Sequence, residues 1–151
     1  MLSVNCGFLG APQAQTLLWY HGPAIKVDLG FDPKYGPSNE NLPKPQITGI
    51  EALVDTGARE SCIDSTLAQE LALPVFDRRT VSGVNGLLEV DFHMAQIHVP
   101  SLKFILRGRF AGVPLVSSGF QQRVVVGRSF LSYFKMEYDG PLGDVKLMRD
   151  L

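Results

Sequence analysis

Apolar and polar positions alternate through much of this chain. Ile25, Val27, Leu29 and Phe31 are interleaved with Lys26, Asp28 and Gly30, the period of two expected of a half-buried strand. Leu88, Val90, Phe92 and Met94 share one parity, with Glu89, Asp91 and His93 on the other; then the phase flips, and Ile97 and Val99 are the apolar positions. Such a flip predicts a bulge or bend, as at a barrel corner. Residues 75–82 and 87–99 flank Gly83-Val84-Asn85-Gly86, and an Asn-Gly pair between strand-like runs predicts a hairpin. Ala52-Leu53-Val54 and Val124-Val125-Val126 are uninterrupted apolar runs, the pattern of strands covered on both faces.

Residues 17–20, 47–54 and 102–110 read as further strands. Residues 135–138 and 144–148 read as a terminal hairpin around Asp139-Gly140-Pro141-Leu142-Gly143. Two short helices are predicted. One spans 66–72, capped by Asp64 or Ser65, with Leu67 and Leu71 on one face and Pro74 as its stop. The other is one or two turns over 129–134. Residues 32–46 hold Pro33, Pro37, Pro43 and Pro45 and form no regular element; they read as a long loop inserted between two strands. The expected fold is a mostly-β, small closed barrel with one or two short helices.

Composition narrows this further. With 151 residues the chain is read as a single domain, 1–151, with 1–21 as an N-terminal extension. That extension is open to three uses: a strand at a dimer interface, cover for a sheet edge, or a removable pro-segment. Lys+Arg 14 against Asp+Glu 15 gives a net charge of −1, which is no electrostatic footprint for nucleic acid. No run approaches the roughly 18–20 apolar residues of a membrane span, and the N-terminus lacks a basic leader region. The cytoplasm is the default address. Cys6 and Cys62 read as two free thiols, with one bridge still possible.

The candidate chemistry lies at Asp55-Thr56-Gly57-Ala58, where a buried strand breaks into an acid, a hydroxyl and a glycine. The strand is a rigid platform, Gly57 lets backbone approach closely, and Thr56 can donate and accept. His21, His93 and His98 have no metal-ligand spacing with one another or with the cysteines, so no metal is expected. Cys62 has no histidine nearby in sequence to activate it. Arg78-Arg79 and Arg107/Arg109 read as solvated faces. Trp19-Tyr20 and Phe130, Tyr133 and Phe134 read as core or dimer contacts.

Ala52 to Ala58, continued by Ser61-Cys62-Ile63, and Val124-Val125-Val126-Gly127-Arg128-Ser129-Phe130-Leu131 together resemble the retropepsin-like aspartic proteases. The hairpin over 80–90 falls in the flap position. The helix after the Asp-Thr-Gly-Ala segment is more similar to cellular and bacterial members than to retroviral ones. The resemblance implies that Asp55 is the catalytic carboxylate. It implies that Thr56, Gly57 and Ala58 form the active-site loop, and that Ser82, Gly83, Val84, Asn85 and Gly86 close over an extended polypeptide substrate. Val126, Gly127 and Arg128 would support the loop from below. No cofactor is implied.

An aspartic protease needs two carboxylates that share one proton. This chain has one Asp-Thr-Gly and no Asp-Ser-Gly. Function as an aspartic endopeptidase would therefore require a C2 homodimer with Asp55 facing its own copy. The alternative is a non-catalytic peptide-binding or dimerisation module of the same fold. One departure stands out: retroviral members often carry an acid directly after Asp-Thr-Gly-Ala, and here Arg59 occupies that position, followed by Glu60. Glu60 is the candidate partner for Arg128, and a basic residue at 59 points toward acidic substrate residues.

Overall fold

The computed structural model describes residues 1–36, 41–83 and 86–151. Along the chain run β1 (Leu2–Asn5), α1 (Ala14–His21), β2 (Ala24–Gly30), β3 (Ile47–Val54), β4 (Cys62–Asp64) and α2 (Ser65–Glu70). They are followed by β5 (Val75–Gly83), β6 (Gly86–Val99), β7 (Phe104–Val113), β8 (Val124–Val126), α3 (Arg128–Leu131), β9 (Lys135–Asp139) and β10 (Asp144–Arg149).

The apolar triplet Val124–Val126 is the central strand β8. It lies between β3, which runs parallel to it, and β4, which runs antiparallel. Its three valines are at most 3% exposed, so no polar position is tolerated in it. The sheet continues as β4-β7-β6, and β6 pairs back onto β2 through Asp28↔His98, Leu29↔Ile97 and Gly30↔Gln96. With β2 also paired to β3, the ring closes as a six-stranded barrel. A closed barrel leaves no edge among these strands.

The phase flip on β6 is a change of buried face, since β6 stays in unbroken register with β7 from Asp91↔Gly112 to Val99↔Phe104. The β5–β6 register passes from Val75↔His93 to Asp77↔Phe92, so β5 carries one extra residue there. Before this bulge Val90 and Phe92 are the buried residues; after it they are His93, Ala95, Ile97 and Val99, together with Gln96 on the other parity, which bonds Asp32. The first half of β6 faces a small cluster of Val90, Phe92 and Ala111, and the second half faces the main core. A flip placed between Met94 and Ile97 by the sequence pattern thus falls between Phe92 and His93. Beyond the bulge β5 and β6 leave the barrel as a hairpin, paired as far as Gly83↔Gly86.

Residues 17–20, expected as a strand, belong instead to helix α1. Leu18 alone of that run is buried, at 2%, while Trp19 and Tyr20 are 79% and 71% exposed. These two aromatics are therefore not core. β1, unassigned by the pattern, pairs antiparallel with β10, from Leu2↔Arg149 to Asn5↔Lys146, and β10 pairs with β9. Phe130 is fully buried in the core, with Phe104 and Phe134 against it at ring-centroid distances of 5.7 and 4.8 Å. Tyr133 is exposed.

Helix α2 begins where the Asp64 carboxylate accepts the Leu67 N–H, as a cap should. It ends at Glu70, two residues short of the expected end, because Ala72 turns to φ +50° ahead of Pro74. The described parts of the 32–46 loop are pinned at both ends. Asp32 accepts backbone N–H groups from Lys34 and Lys44, and the Gln96 side chain bonds both the N–H and the carbonyl of Asp32. Arg78 pairs across the hairpin with Asp91 at 2.8 Å. Among the described residues no helix is long and apolar enough to cross a membrane.

Candidate functional site

β3 ends at Val54 and its next residue, Asp55, is tied back to the barrel: its N–H donates to the Val126 carbonyl at 3.0 Å. The chain then folds over Asp55. The Gly57 N–H donates to the Asp55 Oδ1 at 2.8 Å, and the Ala58 N–H donates to the Asp55 carbonyl at 3.3 Å. Asp55 and Ala58 are half-buried, while Thr56 and Gly57 are exposed. The carboxylate is thus held in one orientation at the end of a rigid strand, with one oxygen satisfied by backbone and the group still open to solvent.

The segment after β8 supports this loop. Arg128 and Ser129 donate their N–H groups to the carbonyls of Ala58 and Arg59, at 2.8 and 3.1 Å. The Arg128 guanidinium reaches the Thr56 carbonyl at 2.8 Å. Gly127 is required by proximity rather than by its dihedral angles. A Cβ there would lie 2.6 Å from the Ala58 carbonyl oxygen and 2.7 Å from that of Glu60. Val126, Gly127 and Arg128 therefore meet the Asp55–Ala58 loop directly. Thr56 takes part through its carbonyl.

Two residues that sequence reasoning left out of the site complete it. Ser61 is fully buried; its Oγ accepts the Gly127 N–H at 3.0 Å and lies 3.0 Å from the Ser129 Oγ. The Ser129 Oγ accepts the Ser61 N–H at 3.1 Å. These serines stand 68 positions apart; both lie in the segments that carry the family resemblance, but two hydroxyl residues at that separation do not announce that they bond each other.

The expected Glu60–Arg128 pair is replaced. Glu60 pairs with Arg109 at 3.3 Å, which frees Arg128 for the Thr56 carbonyl. Arg109 is consequently not a purely solvated residue: its guanidinium also lies over the Phe92 ring, 5.5 Å from the centroid. Arg79, paired with Asp77 at 2.6 Å, lies 5.8 Å from the centroid of the same ring.

Between the Asp55 loop and the β5–β6 hairpin lies a pocket of about 530 Å³. Ala58 and Arg59 form one wall, Thr80, Val81 and Ser82 the other, and Cys62, Phe92 and Ala111 line its floor. Ser82 and Gly86 are exposed on the hairpin; Gly83 lies on it as well, and Val84 and Asn85 lie outside the described residues. Burial pushes the Cys62 thiol up to about 11, with the Glu60 and Asp55 charges adding to the effect. At neutral pH it is a thiol rather than a thiolate, and therefore a poor nucleophile. Among the described residues no cluster of three or more His, Cys, Asp or Glu side chains is arranged to hold a metal ion.

No protein-family model matches the chain, and no curated protein matches it in sequence. Solved structures do. A retropepsin-like aspartic protease from Rickettsia conorii superposes with a TM-score of 0.55 at 16% identity, covering 96% of this chain and 90% of that one. The simian foamy virus (mac) protease gives 0.47 at 10% identity, covering 73% and 92% respectively. The EIAV protease, solved with the inhibitor HBY-793, gives 0.45 at 18% identity, covering 73% and 85%. A barrel closed around the β3-β8-β4 arrangement, matched along nearly its full length by the bacterial structure, gives this chain the retropepsin-like fold.

Proposed function

We propose that the protein is an aspartic endopeptidase, active as a homodimer in which Asp55 of each protomer supplies one carboxylate. The observation that carries this reading is the setting of Asp55. It is a half-buried acid at the end of a barrel strand, with one oxygen held by the Gly57 N–H and its loop clamped by the segment after β8. A structural acid would be spent on its neighbours; this one has a single backbone partner on its carboxylate, and its loop borders, through Ala58, a pocket walled on the other side by the β5–β6 hairpin.

The chemistry follows from two such groups in contact. Two carboxylates a few ångströms apart cannot both ionise cheaply, so they hold one proton between them. The ionised member takes a proton from a water as it attacks the peptide carbonyl. The protonated member gives its proton to the carbonyl oxygen, which forms a tetrahedral diol. The carboxyl that took the water proton then gives it to the nitrogen while its partner takes a proton from a diol hydroxyl. The C–N bond breaks, the amine leaves, the other product is a carboxylic acid, and the pair again holds one proton. The pair titrates as a unit. One Asp-Thr-Gly per chain makes a second copy part of the catalyst.

The test is cleavage of a mixed peptide pool by the parent protein and by Asp55→Asn across acidic to neutral pH, at several protein concentrations. Cleavage by the parent alone, rising faster than linearly with concentration where the dimer is partly formed, is expected. A folded dimer that cuts nothing, or an Asp55→Asn variant that cuts as well as the parent, overturns the reading.

A further inference from the structure

The pocket beside the Asp55 loop has an apolar floor and a charged rim, and the rim does not balance. Arg79 is neutralised by Asp77 at 2.6 Å, and Arg109 by Glu60 at 3.3 Å. Arg59 is the third guanidinium on this side. It is exposed, it lines the pocket, and among the described residues its side chain has no hydrogen bond or ion pair. The rim therefore carries one cation more than its acids match.

The floor explains why that excess has a use. Val81 and Val113, both half-buried, line the pocket beside Cys62, Phe92 and Ala111, so a side chain entering it leaves water along part of its length. Its far end meets Arg59 at the mouth. An ion pair formed over an apolar floor is less screened than one in open solvent. The matching ligand has an apolar stem of one or two methylenes and an anionic tip. A guanidinium offers such a carboxylate two parallel donors, a geometry that no neutral amide reproduces.

We propose that Arg59 is a specificity-determining residue that selects an acidic side chain, glutamate above all, from the polypeptide bound in the cleft. This rests on the cleft being the peptide-cleaving site. Arg59 acts on binding only; it stands beside the Asp55 loop without contacting the reacting carboxylate. Its exposed side chain supports nothing in the fold, and its carbonyl, which accepts the Ser129 N–H, survives any substitution.

The experiment uses peptide pairs that differ only by Glu or Gln at one position, scanned along the peptide, at about pH 6 where a glutamate is ionised. Binding is read by fluorescence anisotropy on the full-length Asp55→Asn protein, and cleavage is read on the parent. At one position Glu is expected to bind about fivefold more tightly than Gln, the upper range for a half-exposed ion pair. Arg59→Gln should erase that ratio, and Arg59→Glu should turn it into a preference for Lys. Equal binding of Glu and Gln at every position, or a preference that survives Arg59→Gln, overturns the proposal even if the parent cleaves. A preference that depends on Arg59 in a parent that cleaves nothing supports it while sinking the protease reading. Absence of any peptide binding sinks both.

Discussion

The guanidinium of Arg128 donates to the carbonyl of Thr56 at 2.8 Å, across 72 positions of sequence. The bond joins the first residue of α3 to the residue after Asp55. It is a side-chain strut on a loop that backbone hydrogen bonds already hold from Val126, Arg128 and Ser129. Its acceptor is a main-chain oxygen, so the strut constrains where the loop lies without neutralising any acid in the cleft.

Arg128→Ala should therefore separate stability from catalysis. The residue is exposed, and an exposed bond of this kind contributes about 1 kcal/mol or less. Thermal melting should move by a few degrees. Displacement of the Asp55 loop by about 1 Å should lower kcat by up to about 10²-fold, with KM little changed. Melting curves and steady-state kinetics on the same preparation test this. A kcat within twofold of the parent would mean that the backbone bonds position the loop alone.

Beneath the loop, Gly127 and Ser61 form a contact that tolerates no added atom and no lost one. Gly127→Ala would drive a Cβ against the carbonyl oxygens of Ala58 and Glu60, and neither is the end of a flexible side chain. A loss above about 4 kcal/mol is expected, in the range reserved for serious core damage. Ser61→Ala leaves the buried Gly127 N–H without its acceptor and should cost about 1–3 kcal/mol. Because Ser61 and Ser129 share one network, adding Ser129→Ala should cost less than in the parent background. Urea unfolding of the parent, the two single serine variants and the double variant measures the coupling.

The Asp32 carboxylate is held below its ordinary value of 3.8, first by the Lys44 N–H and then by the Lys34 N–H. A carboxylate with a depressed folded value stabilises above its unfolded value, and the contribution disappears as pH falls through the folded one. The clamp on the 32–46 loop should thus be complete at neutral pH and open only below about pH 3.8. Amide exchange at Lys34 and Lys44 should accelerate together in that acid range. In Asp32→Asn it should be fast at neutral pH while the barrel amides stay protected.

Cys6 runs the other way. Burial pushes its thiol from 9.0 up to about 12. A raised folded value means that stability is intact below the unfolded value and declines as pH climbs from about 9 toward 12. Unfolding free energy should fall as pH rises above about 9, and part of that slope should vanish in Cys6→Ala. Alkylation should follow the same order: Cys62, half-buried and raised to about 11, reacts before Cys6. Cys6 labelled as fast as a free thiol would contradict the burial of β1's far end.

What could be read before the structure was whatever rests on local pattern. Val124–Val126 announced a buried central strand because a strand flanked on both sides admits no polar residue. The parity change in 88–99 announced a change of buried face along β6 because the side-chain period is two. The run 17–20 misled because four apolar residues suit a strand or a helix equally. Gln13, before α1, provides no side-chain cap to arbitrate. Within the site, Asp55 to Ala58 stood out by their own residues and Val126 to Arg128 followed from the family resemblance, whereas the partner of Arg128 followed from neither. Every residue carries a carbonyl, so a side chain bound to backbone leaves no trace in sequence, and the acidic Glu60 was the natural but mistaken choice.

The role of the first 21 residues is decided by what their removal would uncover. β1 occupies one side of β10 over four paired positions. Beyond it the Cys6 and Phe8 N–H groups donate to the carbonyls of Val145 and Gly143, at 2.7 and 2.8 Å. The Ala24 N–H in turn donates to the Cys6 carbonyl, which ties this segment to the first barrel strand. Cys6 and Leu18 are 4% and 2% exposed. Deletion of residues 1–21 therefore strips one side of β10 of its partners and opens an apolar face, and unpaired strand edges invite association. The truncated chain should melt well below the full one and should aggregate. Leu18→Ala, which leaves β1 in place, should cost about 2–5 kcal/mol as a buried leucine does. A removable pro-segment predicts the reverse: unchanged melting and a gain in peptide cleavage after trimming. Melting and cleavage assays on the two variants choose between a structural strand and an inhibitory one.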